Sequence, residues 1–292
     1  MGAGGRDEIR EAGPLPWGIV LAGALKGLFK RQEARVLPQT RWARTVELDP
    51  QDYGAYAALC GFSPDQGVPL TWPYVLSFPL QMRLVMASDF PYRALGLVHL
   101  GNQIRQESRL YPGDRLRLTC QSDQLHAHPK GQAFALKTTA ERDGAVIWST
   151  VSLYLRRGIE GVGLELERDL VDLPLGKPDH KIASFTADLE TARLYAGLSG
   201  DANPIHTSAI MSRILGFSGP IAHGMWTKAR AISALTEGRS VDVAEAEVSF
   251  RNPLLLPAKA ELYAASSGTG CDFECRNNDQ ARTYLRGRLS LL

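Results

Sequence analysis

The chain has 292 residues, of which 44% are hydrophobic and 22% charged, and its formal net charge is +2. These values are ordinary for a globular protein with a buried core, and the length suits two domains of ~100–150 residues. The near-neutral charge argues against a nucleic-acid-binding surface or an acidic tail. Four cysteines are too few for a disulfide framework in a chain of this size, so we expect reduced thiols and a cytoplasmic location.

The N-terminal region contains one apolar segment, WGIVLAGALKGLF at residues 17–29. It is shorter than the ~20 residues that a membrane span needs, and Lys26 interrupts it. The residues before it are both acidic and basic, and no small-residue cleavage site follows, which argues against a signal peptide. We therefore predict no membrane span and an amphipathic helix packed on the body. A helix lying at a membrane surface is the alternative.

The chain contains an internal repeat. YAALCG at residues 56–61 returns as YAGLSG at 195–200, an offset of 139 residues. Solenoid repeats are only roughly 20–50 residues long, so this offset indicates a duplicated domain. A Gly-, Pro- and charge-rich segment lies at the join. The predicted organisation is an N-terminal extension (1–36), a first domain (37–157), a linker (158–180) and a second domain (181–292).

The two halves have the same predicted order of elements: a strand, short helices, one longer helix and four strands. Turn signals separate the strands, which are predicted at 96–107, 114–126, 132–142 and 145–156, and at 243–251, 258–267, 271–276 and 281–291. The long helix of the second half is predicted from about Ala222 to Glu237, with Lys228 and Arg230 on its wetter side. The expected fold class is α+β, with each sheet wrapped around a helix.

Residues 195–206 place two candidate catalytic side chains close together. Asn203-Pro204 is a helix-start signal, which puts His206 in the first turn of a helix predicted to end near Gly216. Asp201 lies in the tight turn just before it, so the two side chains can converge. Asp and Asn also favour such turns without any function, and each residue alone is more often structural.

A second helix start follows at Ser218-Gly219-Pro220, and Gly224 falls in the first turn of that helix. Amides in a first turn have no intrahelical partner, and the helix dipole favours negative charge beside them. Glycine lets a carbonyl group approach the backbone closely. An acid–base pair next to such an amide suits proton transfer beside a polarised carbonyl.

Other motifs and histidines offer no rival site. The chain has no phosphate-binding glycine loop, no nucleophile elbow and no H-E-x-x-H zinc motif. His126 and His128 flank a predicted hairpin turn and are expected at the surface, and His180 is expected in the linker. His99 is expected to be a satisfied core or pocket residue. For His223, support of the helix start is favoured over a direct part in catalysis.

YAGLSGDANPIH at 195–206, followed by Ala222-His-Gly-Met225, closely resembles the hydratase 2 motif of the MaoC-like dehydratases, a family that includes (R)-specific enoyl-CoA hydratases. The resemblance implies the hot-dog fold, an antiparallel sheet wrapped around one long helix. The duplication resembles the double-hot-dog members of that family. Only residues 1–36 fall outside the resemblance.

The resemblance also implies roles for individual residues. Asp201 and His206 would activate a water for addition to a trans-2-enoyl thioester, or remove water from the (R)-3-hydroxyacyl form. The Gly224 N–H would bind the thioester carbonyl, and Asn203 would brace the catalytic loop. The expected substrate-binding residues are Asn203, Ser199, Gly200, His223 and Met225. No metal and no cofactor beyond the thioester carrier is implied.

The first half departs from this pattern. Phe62 stands where the second half has Asp201, and no histidine occurs between residues 1 and 98. Phe78-Pro79 stands near the place of Gly224, and proline has no N–H to donate. The sequence therefore predicts one active site per chain. The first half is expected to widen the acyl groove or to contribute plain core, through Leu76, Phe78, Leu80, Met82 and Met86.

The expected function is that of a 3-hydroxyacyl-thioester dehydratase, equally an enoyl-thioester hydratase, in fatty acid or related acyl-thioester metabolism. The alternatives are a hydratase for short branched CoA esters, a non-catalytic acyl-thioester-binding subunit and a hot-dog thioesterase. The intact set of Asp201, His206 and Gly224 argues against the non-catalytic subunit. The carrier can be CoA or acyl carrier protein, and the oligomeric state stays open, with a homodimer as one candidate.

Overall fold

The computed structural model describes residues 9–13, 36–166, 173, 176–237 and 239–292. The helix predicted at 17–29 lies outside the described residues. No helix within the described ranges is long and apolar enough to cross a membrane.

The first half contains seven strands and two α-helices among the described residues. In chain order they are β1 (Ile9–Glu11), β2 (Arg41–Glu47), α1 (Pro50–Cys60), α2 (Trp72–Met86), β3 (Leu97–Gln106), β4 (Arg115–His128), β5 (Gly131–Arg142), β6 (Ala145–Arg157) and β7 (Leu164–Glu165). A short 3-10 turn, Pro64–Gln66, lies between the two helices.

The second half contains β8 (His180–Ala187), α3 (Leu189–Ser199), α4 (Pro204–Thr207), α5 (Ala209–Ile214), α6 (Gly224–Leu235), β9 (Ala244–Phe250), β10 (Ala258–Ser267), β11 (Gly270–Arg276) and β12 (Thr283–Leu291). The eight strands predicted after the two long helices are confirmed to within two residues at either end.

One continuous sheet joins the two halves. Its strand order is β1-β2-β4-β5-β6-β3-β9-β12-β11-β10-β8, with β7 paired to β4 outside this path. The junction is the antiparallel pair β3–β9, which runs from Gly101 opposite Ser249 to Gln106 opposite Ala244. Helix α2 packs on β2, β4 and β5, and helix α6 packs on β8, β9 and β12. The predicted α+β class, with a wrapped sheet and one long helix in each half, is confirmed.

The two halves turn in the same way just after their first helix. Helix α1 is followed by Gly61 at φ 77°, and helix α3 by Gly200 at φ 75°. These left-handed conformations favour glycine as the residue that ends a helix. The next residues, Phe62 and Asp201, therefore occupy equivalent positions, and Phe62 is buried in the core. A phenyl ring replaces the carboxylate in the first half.

The helices around the candidate site differ from the prediction in two details. The helix through His206 is broken at Ser208, which is extended (φ −132°, ψ 121°) and whose hydroxyl accepts from the Met211 N–H at 3.3 Å. Serine favours such a cap, so α5 starts as a separate helix. The long helix begins at Gly224, two residues after the predicted Ala222, and the start signal at Ser218-Gly219-Pro220 is followed first by a β-bridge between Ile221 and Leu255.

The predicted match between Phe78-Pro79 and Gly224 is wrong. Pro79 lies about two turns inside α2, which starts at Trp72, whereas Gly224 is the first residue of α6. Helix α2 starts 11 residues after Gly61, whereas α6 starts 24 residues after Gly200, and this difference displaced the match. The missing N–H of Pro79 therefore says nothing about the start of α2. His126, expected at the surface, is buried, and His180 is an exposed residue that begins β8.

Lys228 was predicted on the wetter side of the long helix but is fully buried. Its ammonium donates to the Asn102 carbonyl oxygen at 3.1 Å, to Asn102 Oδ1 at 2.6 Å and to the Ala246 carbonyl oxygen at 2.9 Å. Burial lowers the pKa of Lys228 well below its usual value. Because Asn102 lies on β3 and Ala246 on β9, this side chain ties α6 to both strands of the junction.

Candidate active site

Three local hydrogen bonds hold the loop between α3 and α4, and two of them involve Asp201. The Asp201 N–H donates to the Ser199 hydroxyl at 3.2 Å, and Asp201 Oδ1 accepts from the Asn203 N–H at 3.4 Å. Asn203 Oδ1 accepts from the Ile205 N–H at 3.3 Å and caps α4, with Pro204 as its first residue. The predicted helix start is confirmed, and Ser199 and Asn203 both brace the Asp201 turn.

His206 lies on α4 and is 7% exposed. Its Nδ1 is 2.8 Å from the carbonyl oxygen of Ile221, and the Ile221 N–H donates in turn to the Ile205 carbonyl at 3.1 Å. Because a carbonyl can only accept, the proton is assigned to Nδ1 and the lone pair to Nε2. His206 is thus oriented with Nε2 available as a proton acceptor.

His223 lies directly against His206. The two rings stack with centroids 3.7 Å apart, and His223 Nε2 is 3.0 Å from the Asp201 carbonyl oxygen. Burial, and then the neighbouring His206, hold the pKa of His223 well below its usual value. The neutral ring donates from Nε2 to this carbonyl. His223 precedes α6 without capping it through its side chain, so it supports the Asp201 loop rather than the helix start.

Asp201, His206 and His223 form a compact cluster, with one potential metal-ligand atom of each residue within 4.8 Å of the others. The two imidazole planes are inclined by only 26°. A nitrogen lone pair lies in the plane of its ring, so a metal ion bound by both imidazoles would have to lie where the two planes meet. At this inclination the planes meet much farther from the nitrogens than the metal–nitrogen distance of about 2.1 Å. The geometry therefore suits a hydrogen-bonded water between Asp201 and His206 better than a metal ion.

Gly224 is the first residue of α6, and no side chain caps this helix end. A Cβ at residue 224 would lie 2.7 Å from Cε1 of Phe250. The φ of Gly224 is not in the left-handed region, so space rather than backbone conformation requires glycine here. The Phe250 ring occupies the space that a side chain at residue 224 would need, and the predicted approach of a substrate carbonyl to this amide stays a prediction.

The first half also reaches the site, through residues that the motif does not contain. The His99 ring stacks on Tyr154 at 4.6 Å between centroids and contacts Phe250 at 4.8 Å. Burial, and then the charge of Lys228, lower the pKa of His99 to about 3, and the Asp201 carboxylate acts in the opposite direction. The His99 ring has a hydrogen bond with the Gly101 backbone, but its Nε2 is buried without a hydrogen-bond partner, so the histidine is only half satisfied.

Two buried tyrosines of the first half lie next to His99: Tyr154 stacks on its ring and shares a hydrogen bond with Tyr74. Burial is the main cause that raises the pKa of Tyr74 and of Tyr154, and the nearby charge of Asp201 adds to it. Both phenols therefore stay protonated. Local sequence patterns contain no signal for these residues, because only the folded sheet brings Tyr154 against His99 and His99 against Phe250.

The remaining predicted site residues differ in exposure. Met225 is buried in the core, as are Phe78 and Leu80, whereas Leu76, Met82 and Met86 are half-buried. Phe78 approaches the Asp201 loop, since a Cβ on Gly200 would lie 3.8 Å from its Cδ1. Direct substrate contacts by Ser199, Gly200 and Met225, and an acyl channel along α2, stay predictions.

The lowered pKa values of His99 and His223 predict a stability that falls in acid. An unfolded histidine takes up a proton as the pH falls below about 6.5, whereas the folded protein keeps both rings neutral. Each histidine should thus lower the unfolding free energy by about 1.4 kcal/mol for every pH unit below about 6.5. For His99 this loss should continue down to about pH 3.

Urea unfolding of the His99→Phe variant between pH 8 and pH 4 checks this. Phenylalanine keeps a ring against Tyr154. The unfolding free energy of the variant should therefore fall less steeply in acid than that of wild type, and the difference should equal the contribution of one histidine. The exposed His180 provides the control: His180→Phe should follow the wild-type curve. Parallel curves for His99→Phe and wild type would show that His99 is protonated in the folded protein.

Known proteins similar to this chain share its site region and its fold. A family model described as MaoC like domain matches residues 173–284. The chain is 35% identical over 244 residues to the Mycobacterium tuberculosis protein named 3-hydroxyacyl-thioester dehydratase X, a match that covers 82% of this chain and 86% of that protein.

Solved structures extend the similarity to the fold. The crystal structure of HtdX from Mycobacterium tuberculosis is 33% identical, covers 86% of this chain and 100% of its own, and has a TM-score of 0.73. A MaoC-like dehydratase from Phytophthora capsici is 19% identical with a TM-score of 0.72 over 86% of this chain and 95% of its own, which shows a shared fold. The chain has the double-hot-dog fold and belongs to the MaoC-like dehydratase family.

Proposed function

We propose that this chain interconverts (R)-3-hydroxyacyl thioesters and trans-2-enoyl thioesters by removing or adding water. The observation that carries the proposal is that the side chains of Asp201 and His206 converge. A hydrogen bond between Nδ1 and the Ile221 carbonyl orients the His206 ring and leaves its Nε2 available. The similarity to a protein named 3-hydroxyacyl-thioester dehydratase X supports the choice of substrate class.

In the hydration direction, a water held by the Asp201 carboxylate and His206 Nε2 adds its oxygen to C3 of the enoyl group. One water proton passes to this pair, and the pair delivers a proton to C2 on the same face. Negative charge develops on the thioester oxygen as C3 is attacked, and the Gly224 N–H at the start of α6 stabilises it. Dehydration is the reverse sequence, and the residues end in their starting protonation states.

The proposed reaction has no net oxidation or reduction, so we propose no cofactor and no metal beyond the CoA or acyl carrier protein that bears the acyl group. One active site per chain is proposed, because Phe62 replaces the carboxylate in the first half. The described cysteines are free, which supports a reducing, cytoplasmic location. A homodimer of two such chains is included in the proposal.

Turnover of a series of trans-2-enoyl-CoAs of increasing chain length, followed by loss of the enoyl absorbance, tests the proposal. An enoyl thioester of acyl carrier protein is assayed alongside. The product is expected to be the (R)-3-hydroxyacyl thioester, identified by chiral chromatography after hydrolysis. Release of a free thiol with an unchanged enoyl group would identify a thioesterase instead. No change in any thioester would favour a binding subunit.

A further inference from the structure

An arginine-lined cavity lies at the end of the second-half sheet, outside the residues assigned to catalysis. Its volume is about 370 Å³, and its charged or polar lining residues are Arg251, Asn252, Glu274, Arg282, Thr283 and Arg286. Three arginines against one glutamate leave a net charge of +2 in this one cavity, as large as the formal charge of the whole chain. Such a concentration of guanidinium groups favours an anionic ligand.

The glutamate of the cavity is already neutralised. Glu274 Oε1 accepts from Arg286 Nε at 2.7 Å, and its Oε2 accepts from Arg276 Nε at 2.7 Å. These bonds fix the Arg286 guanidinium, whose side chain is 24% exposed, at the wall of the cavity. Arg251 and Arg282 are exposed at its rim. A fixed guanidinium beside two exposed ones can donate several hydrogen bonds to a phosphate group.

The cavity and the candidate active site share one chain segment. Arg251 directly follows Phe250, the residue whose ring lies against Gly224, and the Arg251 N–H donates to the Tyr284 carbonyl at 2.9 Å. A few residues on, the Leu254 carbonyl accepts from the Ala222 N–H at 2.8 Å. The lining of the cavity is therefore continuous with the backbone that leads into α6.

We infer that this cavity binds a phosphate group of the pantetheine carrier of the thioester, an inference that rests on the proposed function. A thioester carbonyl held at Gly224 has the acyl chain on one side and the pantetheine arm on the other. The acyl chain is apolar and offers no charge or hydrogen-bond acceptor to guanidinium groups. The pantetheine arm ends in phosphate, both in CoA and on acyl carrier protein, and Arg251 and Arg282 are placed to receive it.

Isothermal titration with CoA, 4′-phosphopantetheine and pantetheine tests the inference without any turnover. Wild type should bind the two phosphorylated compounds at least about tenfold more tightly than pantetheine. The double variant Arg251→Ala/Arg282→Ala should lose this preference and keep its affinity for pantetheine. The matched control, Arg115→Ala/Lys130→Ala, removes two exposed cations from the first half and should bind like wild type.

Kinetics separate the two possible carriers. In the rim double variant, KM for an enoyl-CoA should rise about tenfold or more with kcat retained, whereas KM for an enoyl-pantetheine should not change. A matching rise for the enoyl acyl carrier protein would identify the 4′-phosphate that both carriers share. A rise with CoA alone would identify the phosphates of its nucleotide part.

Equal affinity of wild type for CoA and pantetheine would overturn the inference, and so would an equal loss in the control variant. These outcomes differ from a failure of the proposed function. If no thioester is turned over but phosphate-dependent binding needs Arg251 and Arg282, only the function fails. If thioesters are turned over with no effect of either arginine on KM, only the phosphate site fails.

Discussion

Asp201→Asn and His206→Gln are each expected to lower the hydration rate by about 10²–10⁴-fold, the usual contribution of a positioned acid or base. Asparagine keeps the size of Asp201 and an oxygen for the Asn203 N–H but cannot take a proton from water. Glutamine can still donate to the Ile221 carbonyl, which now accepts from His206 Nδ1. The fold should survive both changes, so kcat should fall while cooperative unfolding is retained.

The double variant distinguishes a catalytic pair from two independent contributions. If Asp201 and His206 hold one water together, the second substitution should cost little after the first. Asp179 and His180, both exposed just before and at the start of β8, provide a matched control: Asp179→Asn/His180→Gln should retain wild-type rates. Near-wild-type turnover by Asp201→Asn would remove this carboxylate from the mechanism.

Much of the fold could be predicted because its signals are local. Turns such as Tyr111-Pro-Gly-Asp114 mark strand ends by their own backbone chemistry, and the strands follow to within two residues. A helix followed by a glycine occurs in both halves, at Gly61 and at Gly200, and this repeat identified Phe62 and Asp201 as equivalent residues. The long helices contain no comparable marker inside them, so the match between Pro79 and Gly224 was displaced.

The errors and omissions around the site have a tertiary origin. A lysine on an apolar helix is normally exposed, but Lys228 meets three oxygen acceptors that only the β3–β9 junction assembles. The placement of His99 beside Phe250 likewise requires the sheet to be closed. The motif identified the residues for proton transfer, whereas the contacts of the first half with them depend on the pairing of distant strands.

Gly224→Pro is expected to lower the rate by about 10²–10³-fold, the typical effect of losing one oxyanion donor. Proline deletes the N–H but suits the first position of a helix, and the preceding His223 has the extended backbone (φ −67°, ψ 131°) that proline requires. The direct comparison, Gly224→Ala, keeps the N–H. Its Cβ, however, would lie 2.7 Å from Phe250 Cε1, so steric displacement would accompany it in the wild-type background.

The comparison is therefore made in a Phe250→Leu background, where the smaller side chain gives room to a substituent at residue 224. Phe250→Leu alone, Phe250→Leu/Gly224→Ala and Phe250→Leu/Gly224→Pro are assayed together, with thermal unfolding to show that each is folded. Because Ala and Pro both add a Cβ but only Ala retains the amide proton, the N–H should account for most of the difference between them. Alanine should keep most of the background rate and proline should lose about 10²–10³-fold. Equal rates in the two folded proteins would mean that another donor holds the thioester carbonyl, and the start of α6 would then have only a structural role.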